Sequence, residues 1–479
     1  MKHFFDWIRQ QNLVNRLWLI LGKGPSFELL PQHDVTAFEI VSLNHVVRER
    51  PVSVAHIIDL DVVSACADAL LKNARVLVMP WFPHVDNRVG DKSLEYWVTQ
   101  IPVLQQLHDE GRLTWYDLST SKIRHGAGPV VKAKYFSAEA ALSLLALSGV
   151  KCVRSLGVDG GSAYGSAFVD IESSTKLNNG HQSFDLQFQG FANTISKTGV
   201  DYAPLNIESP VRVFVGSQEE QMLAVQVLEY SIRKHASMTV QVMPLHRSPI
   251  TFKTPQEVRN RPRTPFSFQR FTIPQLAGYR GRAIYVDSDM MVFKDIREVW
   301  TLPFDGADVL AVGSTGSDRR PQFSVMMLDC DRLRWTPDSI VELLDSGQYS
   351  YEQLMYEMKL AQQVKASIPP EWNSLEHYEA GRTGLLHYTD MHSQPWISRG
   401  HRWGGLWVKY LLQAVDDGFI TREEVADHVR RGWVRPSLLQ QIDARAETFG
   451  WRAPLAMFAD KGYVPPYKKM GAHGVAQSH

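Results

Sequence analysis

Apolar segments of strand length recur along this sequence, and helix-length stretches separate many of them. Strands of a parallel sheet are covered on both faces, so they appear as continuous apolar runs, and each crossover needs a dozen or more residues. The pattern therefore predicts an α/β fold with mostly parallel sheets. In the first half of the chain, strands are predicted over 17–21, 39–43, 53–58, 75–79 and 152–158, and a buried helix over 136–147.

A second series of strands and helices starts after a weakly patterned segment. Residues 175–206 are largely polar and predict a connector, so we place a domain boundary near Ser209. A strand, a helix and a further strand are then predicted over 211–215, 219–234 and 238–242. The expected organisation is a first domain, a second domain and a helical appendage with a flexible tail, over 1–208, 209–400 and 401–479.

Composition excludes several classes of protein. Lys and Arg number 51, as do Asp and Glu, so the net charge is zero and no global charge favours nucleic acid. The three cysteines are widely spaced without a CxxC pair, which argues against a disulfide framework or a structural zinc and fits a reducing cytoplasm. We expect a cytoplasmic protein, with at most a peripheral contact with an inner membrane through Lys461, Lys468 and Lys469.

The most informative motif is AIYVDSDMMVF, in which Asp287, Ser288 and Asp289 follow an apolar strand. In an extended segment residues i and i+2 share a face, so both carboxylates can point to one place at the carboxyl end of the strand. Open α/β sheets bind ligands there. Adjacent carboxylates repel each other, and a divalent cation removes that conflict. The motif predicts either a site for Mg²⁺ or Mn²⁺, which oxygen ligands suit, or a solvated acidic turn.

A second motif, GLLHYTDMHSQPW, places His387 directly after two leucines. An imidazole that joined the two carboxylates would favour manganese over magnesium, because nitrogen donors favour transition metals. A structural role in the core is the alternative for a histidine in this position.

The order and spacing of these motifs resemble glycosyltransferase family 8 over residues 211–396. The resemblance implies a GT-A fold and transfer of a sugar from a nucleotide diphosphate donor with retention at the anomeric carbon. Its four matching segments are VRVFVGSQEE at the opening strand, FSFQRFTIPQL with its arginine, YVDSDMMVFKDI at the metal motif and LHYTDMHSQPW at the histidine.

The family's roles carry over to the matching residues of this chain. Asp287, Asp289 and His387 are implied metal ligands for Mn²⁺ or Mg²⁺. The implied donor contacts are Val215, Gly216, Ser217, Arg270, Ser288 and Gln394. The implied catalytic set is Asp287, Asp289, Glu352 and Gln322. Glu352 and Gln322, together with Ser324 and Gln353, are implied acceptor or sugar contacts, with ordinary surface polarity as their alternative.

The chain departs from the family pattern near the histidine. Asp390 stands where the family usually has glycine, and Gln394 replaces a lysine that contacts the leaving phosphate. The loss of that lysine puts one diphosphate contact in question, and Arg399 or His392 is a candidate for the missing positive charge.

In the first domain, the turn Gly22-Lys23-Gly24-Pro25-Ser26 directly follows a predicted strand. Backbone amides in such a turn can approach a phosphate. Residues 17–189 resemble a Rossmann-like group that includes sialyltransferase family 42 and the motility-accessory and MptE-like proteins. The resemblance implies nucleotide or nucleotide-sugar binding by Gly22, Lys23, Gly24, Ser26, Asn44, Asp159 and His181, the last as a base. A module that only packs or binds an acceptor is the alternative.

Together these features predict two Rossmann-like domains, the second a GT-A domain with a helical appendage. The expected activity is a metal-dependent hexosyltransferase that uses a nucleotide-sugar donor, a UDP-sugar, and a glycan or glycolipid acceptor in bacterial surface polysaccharide synthesis. Two alternatives stay open: a bifunctional enzyme with a second glycosyltransferase activity in the first domain, and a non-catalytic nucleotide-sugar-binding scaffold.

Overall fold

The computed structural model describes residues 1–264, 266–313, 323–449 and 457–466. It divides into two compact units. Unit 1 comprises Met1–Pro210 with Ala236–Thr239, and unit 2 comprises Val211–His235 with Val240–His479. The sequence predictions on Gln322, Lys468 and Lys469 fall outside the described residues.

Unit 1 contains a nine-stranded sheet and a short antiparallel hairpin. The strands, with β6 and β7 forming the hairpin, are β1 (Lys2–His3), β2 (Leu17–Leu21), β3 (Phe38–Leu43), β4 (Val54–His56), β5 (Leu77–Pro80), β6 (His84–Val85), β7 (Arg88–Val89), β8 (Leu113–Leu118), β9 (Val130–Val131), β10 (Cys152–Leu156) and β11 (Asp201–Pro204). The sheet order is β1-β8-β5-β4-β3-β2-β10-β11, with β9 also paired to β8, and all pairings are parallel. From β2 the chain therefore adds β3, β4, β5 and β8 in turn on one side. It then returns to add β10 and β11 on the other side of β2.

Both faces of this sheet are buried. Trp18 and Ile20 of β2 belong to one apolar cluster, whereas the alternating residues Leu19 and Leu21 belong to another. This explains why β2 has an uninterrupted apolar sequence. The helices of unit 1 are α1 (Phe4–Gln10), α2 (Leu60–Ala65), α3 (Ala67–Asn73), α4 (Leu94–Val98), α5 (Pro102–Asp109), α6 (Ser137–Leu147), α7 (Glu172–Thr175) and α8 (Gln187–Thr198).

The expectation of a connector over 175–206 is wrong. This segment contains α8, whose Phe191 and Ala192 are buried, and β11, which pairs with β10 at the edge of the sheet. Polar residues of α8 such as Asn193, Ser196 and Lys197 lie on the exposed face of an amphipathic helix, and an edge strand of four residues leaves little apolar signal.

Unit 2 contains a six-stranded mixed sheet and a separate three-stranded sheet. Its strands are β12 (Val211–Gly216), β13 (Val240–Pro244), β14 (Arg282–Asp287), β15 (Met290–Val292), β16 (Val309–Val312), β17 (Val325–Asp329), β18 (Val364–Ile368), β19 (Ser374–Leu375) and β20 (Leu385–His387). The larger sheet has the order β13-β12-β14-β17-β16-β18, in which β17 runs antiparallel to both neighbours. The smaller sheet has the order β15-β20-β19.

Within unit 2, the helical C-terminal region begins with α14 (Gly404–Asp416), which packs onto α9 (Met222–His235). Trp407 and Leu411 of α14 share an apolar cluster with Leu223 and Val227 of α9, and the Tyr230 hydroxyl donates to Asp417 Oδ2 at 2.6 Å. The predicted α/β fold with a C-terminal helical region is therefore confirmed. The helices are α9 (Met222–His235), α10 (Ile273–Leu276), α11 (Arg297–Trp300), α12 (Pro337–Asp345), α13 (Tyr351–Met355), α14 (Gly404–Asp416), α15 (Arg422–Arg430) and α16 (Ser437–Ala444).

The glycine turn after β2 is used to join two strand ends. The Gly22 N–H donates to the Leu156 carbonyl oxygen at 2.9 Å and the Gly24 N–H to that of Gly157 at 2.7 Å. A Cβ at position 22 would lie 2.2 Å from the Gly157 oxygen. Glycine is required here because two backbones approach closely, a reason independent of any ligand.

We expect Gly22→Ala to lower the free energy of unfolding of unit 1 by about 2–3 kcal/mol, since the added methyl forces a backbone shift. Urea unfolding of the full chain checks this. Gly400→Ala is the matched control, because a Cβ there would meet no atom closer than 3.7 Å. Wild-type stability of the Gly22→Ala protein would contradict the argument.

Candidate metal centre

Two carboxylates lie at the carboxyl end of the central strand β14. Asp287 is the last residue of β14, and Asp289 immediately precedes β15. Ser288 between them is buried, and its N–H donates to the Gly216 carbonyl oxygen at 3.1 Å. The neighbouring strand β12 thus fixes the turn between the two aspartates.

The smaller sheet brings the histidine to the same place. β15 pairs antiparallel with β20 so that Met290 lies opposite His387, and the Tyr388 N–H donates to the Asp289 carbonyl oxygen at 2.8 Å. Ligand atoms of Asp287, Asp289 and His387 all lie within 4.8 Å of one another. The structure therefore brings the three predicted metal ligands together.

Asn373 fixes which nitrogen of His387 faces the aspartates. It directly precedes β19, which pairs with β20, and its Oδ1 lies 3.0 Å from His387 Nδ1. The Asn373 Nδ2 donates to Ser324 Oγ at 3.2 Å, so Oδ1 is the atom presented to the ring. An amide oxygen only accepts, so Nδ1 carries the proton and Nε2 points to the aspartates.

The polar atoms at the centre fit a cation. Asp289 Oδ1 is buried without a hydrogen-bond partner and lies 3.1 Å from His387 Nε2. With the proton on Nδ1, a neutral imidazole and this carboxylate direct lone pairs at each other, a conflict that a shared proton or a metal ion removes. Two oxygens and one nitrogen are a donor set for a transition metal with open positions left for another ligand.

The titration behaviour agrees with a site built for positive charge. Burial raises the pKa of Asp287, with the Asp289 carboxylate adding to the effect and Arg270 opposing it. Burial alone would lower the pKa of His387, but the charges of Asp289 and Asp287 and the contact with Asp289 outweigh it, and the pKa is raised. Each group thus favours binding a proton where a metal could replace it.

Arg270 lies beside the aspartates. Its guanidinium is 7% exposed, donates to the Phe323 carbonyl oxygen at 2.9 Å and to the Tyr285 hydroxyl at 3.2 Å, and lies 3.9 Å from Asp287. The Tyr285 hydroxyl in turn donates to Asp287 Oδ1 at 2.5 Å. A Cβ at Gly216 would come within 2.3 Å of that hydroxyl, so glycine makes room for this hydrogen-bonded chain.

Gln394 contacts the second aspartate. Its Nε2 donates to Asp289 Oδ2 at 3.0 Å and to the Tyr388 carbonyl oxygen at 3.1 Å, and the side chain is 7% exposed. In this chain Gln394, which stands in place of the family's lysine, therefore holds a candidate metal ligand. Asp390, which stands in place of a glycine, accepts from the His392 N–H and the Ser393 hydroxyl and so shapes the loop.

The other residues predicted to contact the sugar donor lie near the aspartates, and each is paired or hydrogen-bonded within the protein. Val215 and Gly216 end β12, which pairs with β14. Ser217 is buried, and its hydroxyl lies 2.9 Å from His246 Nδ1 while its N–H donates to Gln269 Oε1. Their donor-binding roles stay predictions.

The predicted acceptor contacts have diverse surroundings. Glu352 accepts from Arg263 at 2.5 Å on an exposed surface, and Gln353 caps the start of α13. Ser324 instead accepts a hydrogen bond from Asn373 at the candidate metal centre.

Asn373 and Tyr285 are the residues that sequence reasoning missed. Tyr285 is two residues before Asp287 on the same face of β14, a signal that was available, whereas Asn373 had none.

In unit 1 most of the predicted nucleotide-binding residues line one cavity of about 880 Å³, namely Gly22, Lys23, Gly24, Asn44, Asp159 and His181. Ser26 is the exception: its hydroxyl accepts from the Gly157 N–H, and its own N–H donates to Asp159 Oδ2 at 2.7 Å. Because the amides of Gly22, Gly24 and Ser26 all have protein partners, they do not form the expected phosphate cradle.

Fold and centre together define an α/β protein with a candidate divalent-metal site at a strand end. Residues 192–336 match glycosyl transferase family 8, which confirms the resemblance of the C-terminal half to this family. The matched region contains Arg270, Asp287 and Asp289, whereas His387 and Gln394 lie beyond it.

One curated relative is Protein CDI of Arabidopsis thaliana, which is 36% identical over 107 residues, 22% of this chain and 41% of that protein. The similarity thus spans less than half of the relative's length.

Several solved structures show a distant similarity to this chain. They include the glycosyltransferase GlyE of Streptococcus pneumoniae TIGR4 (15% identity, TM-score 0.32, 47% of this chain and 65% of that one). The galactosyltransferase LgtC, solved with donor and acceptor sugar analogues, has 9% identity and a TM-score of 0.29 over 44% of this chain and 96% of its own. The bifunctional glycosyltransferase WbbM has 12% identity and a TM-score of 0.32 over 70% and 65%. No helix in the described ranges combines the length and apolar character needed to cross a membrane.

We expect Asn373→Leu to weaken Mn²⁺ binding to the protein at least tenfold, because an unsupported imidazole loses its orientation and tautomer. Isothermal titration with Mn²⁺ measures this without any substrate. Asn373→Asp keeps an acceptor oxygen for Nδ1 and is expected to retain most of the affinity. Equal Mn²⁺ affinity of wild type and Asn373→Leu would show that Asn373 has no such role.

Proposed function

We propose that unit 2 is a manganese-dependent glycosyltransferase that moves a hexose-type sugar from a nucleotide diphosphate donor, a UDP-sugar, to a glycan or lipid-linked acceptor with retention at the anomeric carbon. The observation that carries the proposal is the convergence of Asp287, Asp289 and His387, with one buried carboxylate oxygen left without a hydrogen bond. The match of residues 192–336 to glycosyl transferase family 8 supports the reaction class.

Mn²⁺, bound by these three side chains, would neutralise the charge that develops on the departing diphosphate, a contribution of several kcal/mol in comparable sites. The protein's own residues prepare the site. Tyr285 and Arg270 hold Asp287, and Gln394 holds the second oxygen of Asp289. The aspartates therefore need little rearrangement when the donor binds.

Arg270 is the positive side chain that we assign to the leaving group. Its Nε is buried without a hydrogen-bond partner, although both terminal nitrogens are engaged. A phosphate oxygen would satisfy this donor with a charge-assisted hydrogen bond. Arg270 thus replaces in function the lysine that the chain lacks at position 394. Synthesis of a bacterial surface polysaccharide stays a prediction.

We expect Asp289→Asn to reduce hydrolysis of UDP-glucose or UDP-galactose in Mn²⁺ at least 100-fold, since losing a charged ligand removes about 3 kcal/mol or more of transition-state stabilisation. Release of UDP by the purified full chain is the measurement, with EDTA as a parallel arm. Asp338→Asn, an exposed carboxylate on α12, is the matched control.

Unchanged turnover by Asp289→Asn, or wild-type turnover in EDTA, would refute the metal assignment. Binding of UDP with Mn²⁺ but no turnover of any UDP-sugar, alone or with glycan acceptors, would favour the non-catalytic scaffold over the enzyme.

A further inference from the structure

The cavity of unit 1 lies at the point where the strand order of its sheet reverses. Loops after β2, β3, β4, β8 and β10 all contribute to its wall, which places it at the carboxyl ends of the strands. The strand order reverses between β2 and β10, and open α/β sheets bind ligands at such a point. The volume of about 880 Å³ is that of a small-molecule site.

Lys23 brings a positive charge to this cavity without a negative partner. Its Nζ donates to Thr175 Oγ1 at 3.3 Å and lies 4.3 Å from the centre of the Tyr164 ring. No carboxylate of the described residues lies within ion-pair distance of it, and nearby Arg48 is itself paired with Asp170 at 2.9 Å. Burial lowers the pKa of Lys23 to about 8, with Arg48 adding to the effect. A shielded ammonium group of this kind is stabilised by an anion.

Three polar side chains in the cavity wall have buried atoms without hydrogen bonds. These atoms are Asn44 Oδ1, His45 Nδ1 and Asp59 Oδ1. Asn44 is also held at a φ of 53°, in the left-handed region, directly after β3. Buried polar atoms are nearly always paired in native proteins, and carbonyl and carboxylate oxygens require donors. Hydroxyl groups of a ligand would supply them.

Aromatic rings complete the wall. Tyr135 and Phe136 lie against His181, with ring centres 5.2 and 5.6 Å from the imidazole, and Phe184 packs on Phe136. All four residues line the cavity. Such faces pack against a sugar ring or a nucleobase.

We propose that unit 1 has a second binding site, for a phosphate-bearing, hydroxyl-rich ligand of the sugar phosphate or nucleotide class. Lys23 contacts the phosphate, and Asn44, His45 and Asp59 face the hydroxyl groups. The side chain of Lys23, not the amides of the glycine turn, is the anion contact. This site is independent of the function proposed for unit 2.

The test uses the full-length chain with Asp287→Asn and Asp289→Asn, in EDTA, so that the metal centre of unit 2 does not contribute. Isothermal titration with UMP, CMP and glucose 1-phosphate is expected to show saturable binding of at least one probe. Binding of the nucleotides alone identifies a nucleotide site, and binding of glucose 1-phosphate identifies a sugar phosphate site.

Lys23→Gln in the same background is expected to weaken that binding at least tenfold while the thermal midpoint stays at or above that of the parent protein, because a shielded unpaired charge is removed. Lys151→Gln, at an exposed lysine of unit 1 outside the cavity wall, is the matched control. Asp59→Asn is expected to weaken the same probe and to leave Lys23 in place.

Failure of all three probes to bind would overturn the proposal, as would equal affinity of the parent and Lys23→Gln proteins. Neither result would bear on the metal-dependent reaction assigned to unit 2.

Discussion

The pairing of two three-residue strands, β15 and β20, is the constraint on which the candidate centre depends. The end of β14 and the turn after it place the two carboxylates. His387 lies on β20, which belongs to the smaller sheet and not to the larger one. The antiparallel register places Met290 opposite His387, and the following main-chain hydrogen bond from Tyr388 fixes Asp289 against the same strand. The third strand, β19, then positions Asn373 behind the imidazole. A small peripheral sheet thus determines the chemistry at the end of a large one.

Charged and polar groups from other parts of unit 2 compensate the negative charge of the two aspartates at that centre. Two partly buried carboxylates so close together are costly unless cations or donors face them. Here Arg270, the Tyr285 hydroxyl, the Gln394 amide and His387 each face one of the aspartates. Among these groups His387 is the one that faces Asp289 Oδ1, and that oxygen has no hydrogen bond. The pair is therefore stabilised incompletely, which is the observation that makes this place a candidate metal centre.

Much of this arrangement could be predicted from sequence, for identifiable reasons. Continuous apolar runs located β2, β3, β10, β12 and β14 because buried parallel strands have few polar residues. The candidate metal ligands could be identified because carboxylates after a strand and a histidine after two leucines are local patterns that also match motifs of family 8.

Partners formed through tertiary structure could not be predicted. Asn373 acts only through the pairing of β19 with β20, and the amides after β2 are occupied because β10 lies beside them. With β10 elsewhere, the same turn sequence would leave these amides open to a ligand. The distinction between a phosphate cradle and a strand junction therefore depends on the contact of Gly22 with Gly157.

The antiparallel register of β15 and β20 also sets what this centre tolerates over evolution. Loops that join the strands and helices between Asp289 and His387 can change length without changing this register, since the pairing depends on β15 and β20 themselves. Loss or gain of a single residue within β20 is different, because side chains alternate between faces and the imidazole would turn to the opposite side of the small sheet. The six paired positions are thus expected to keep their length more strictly than the loops of the intervening chain.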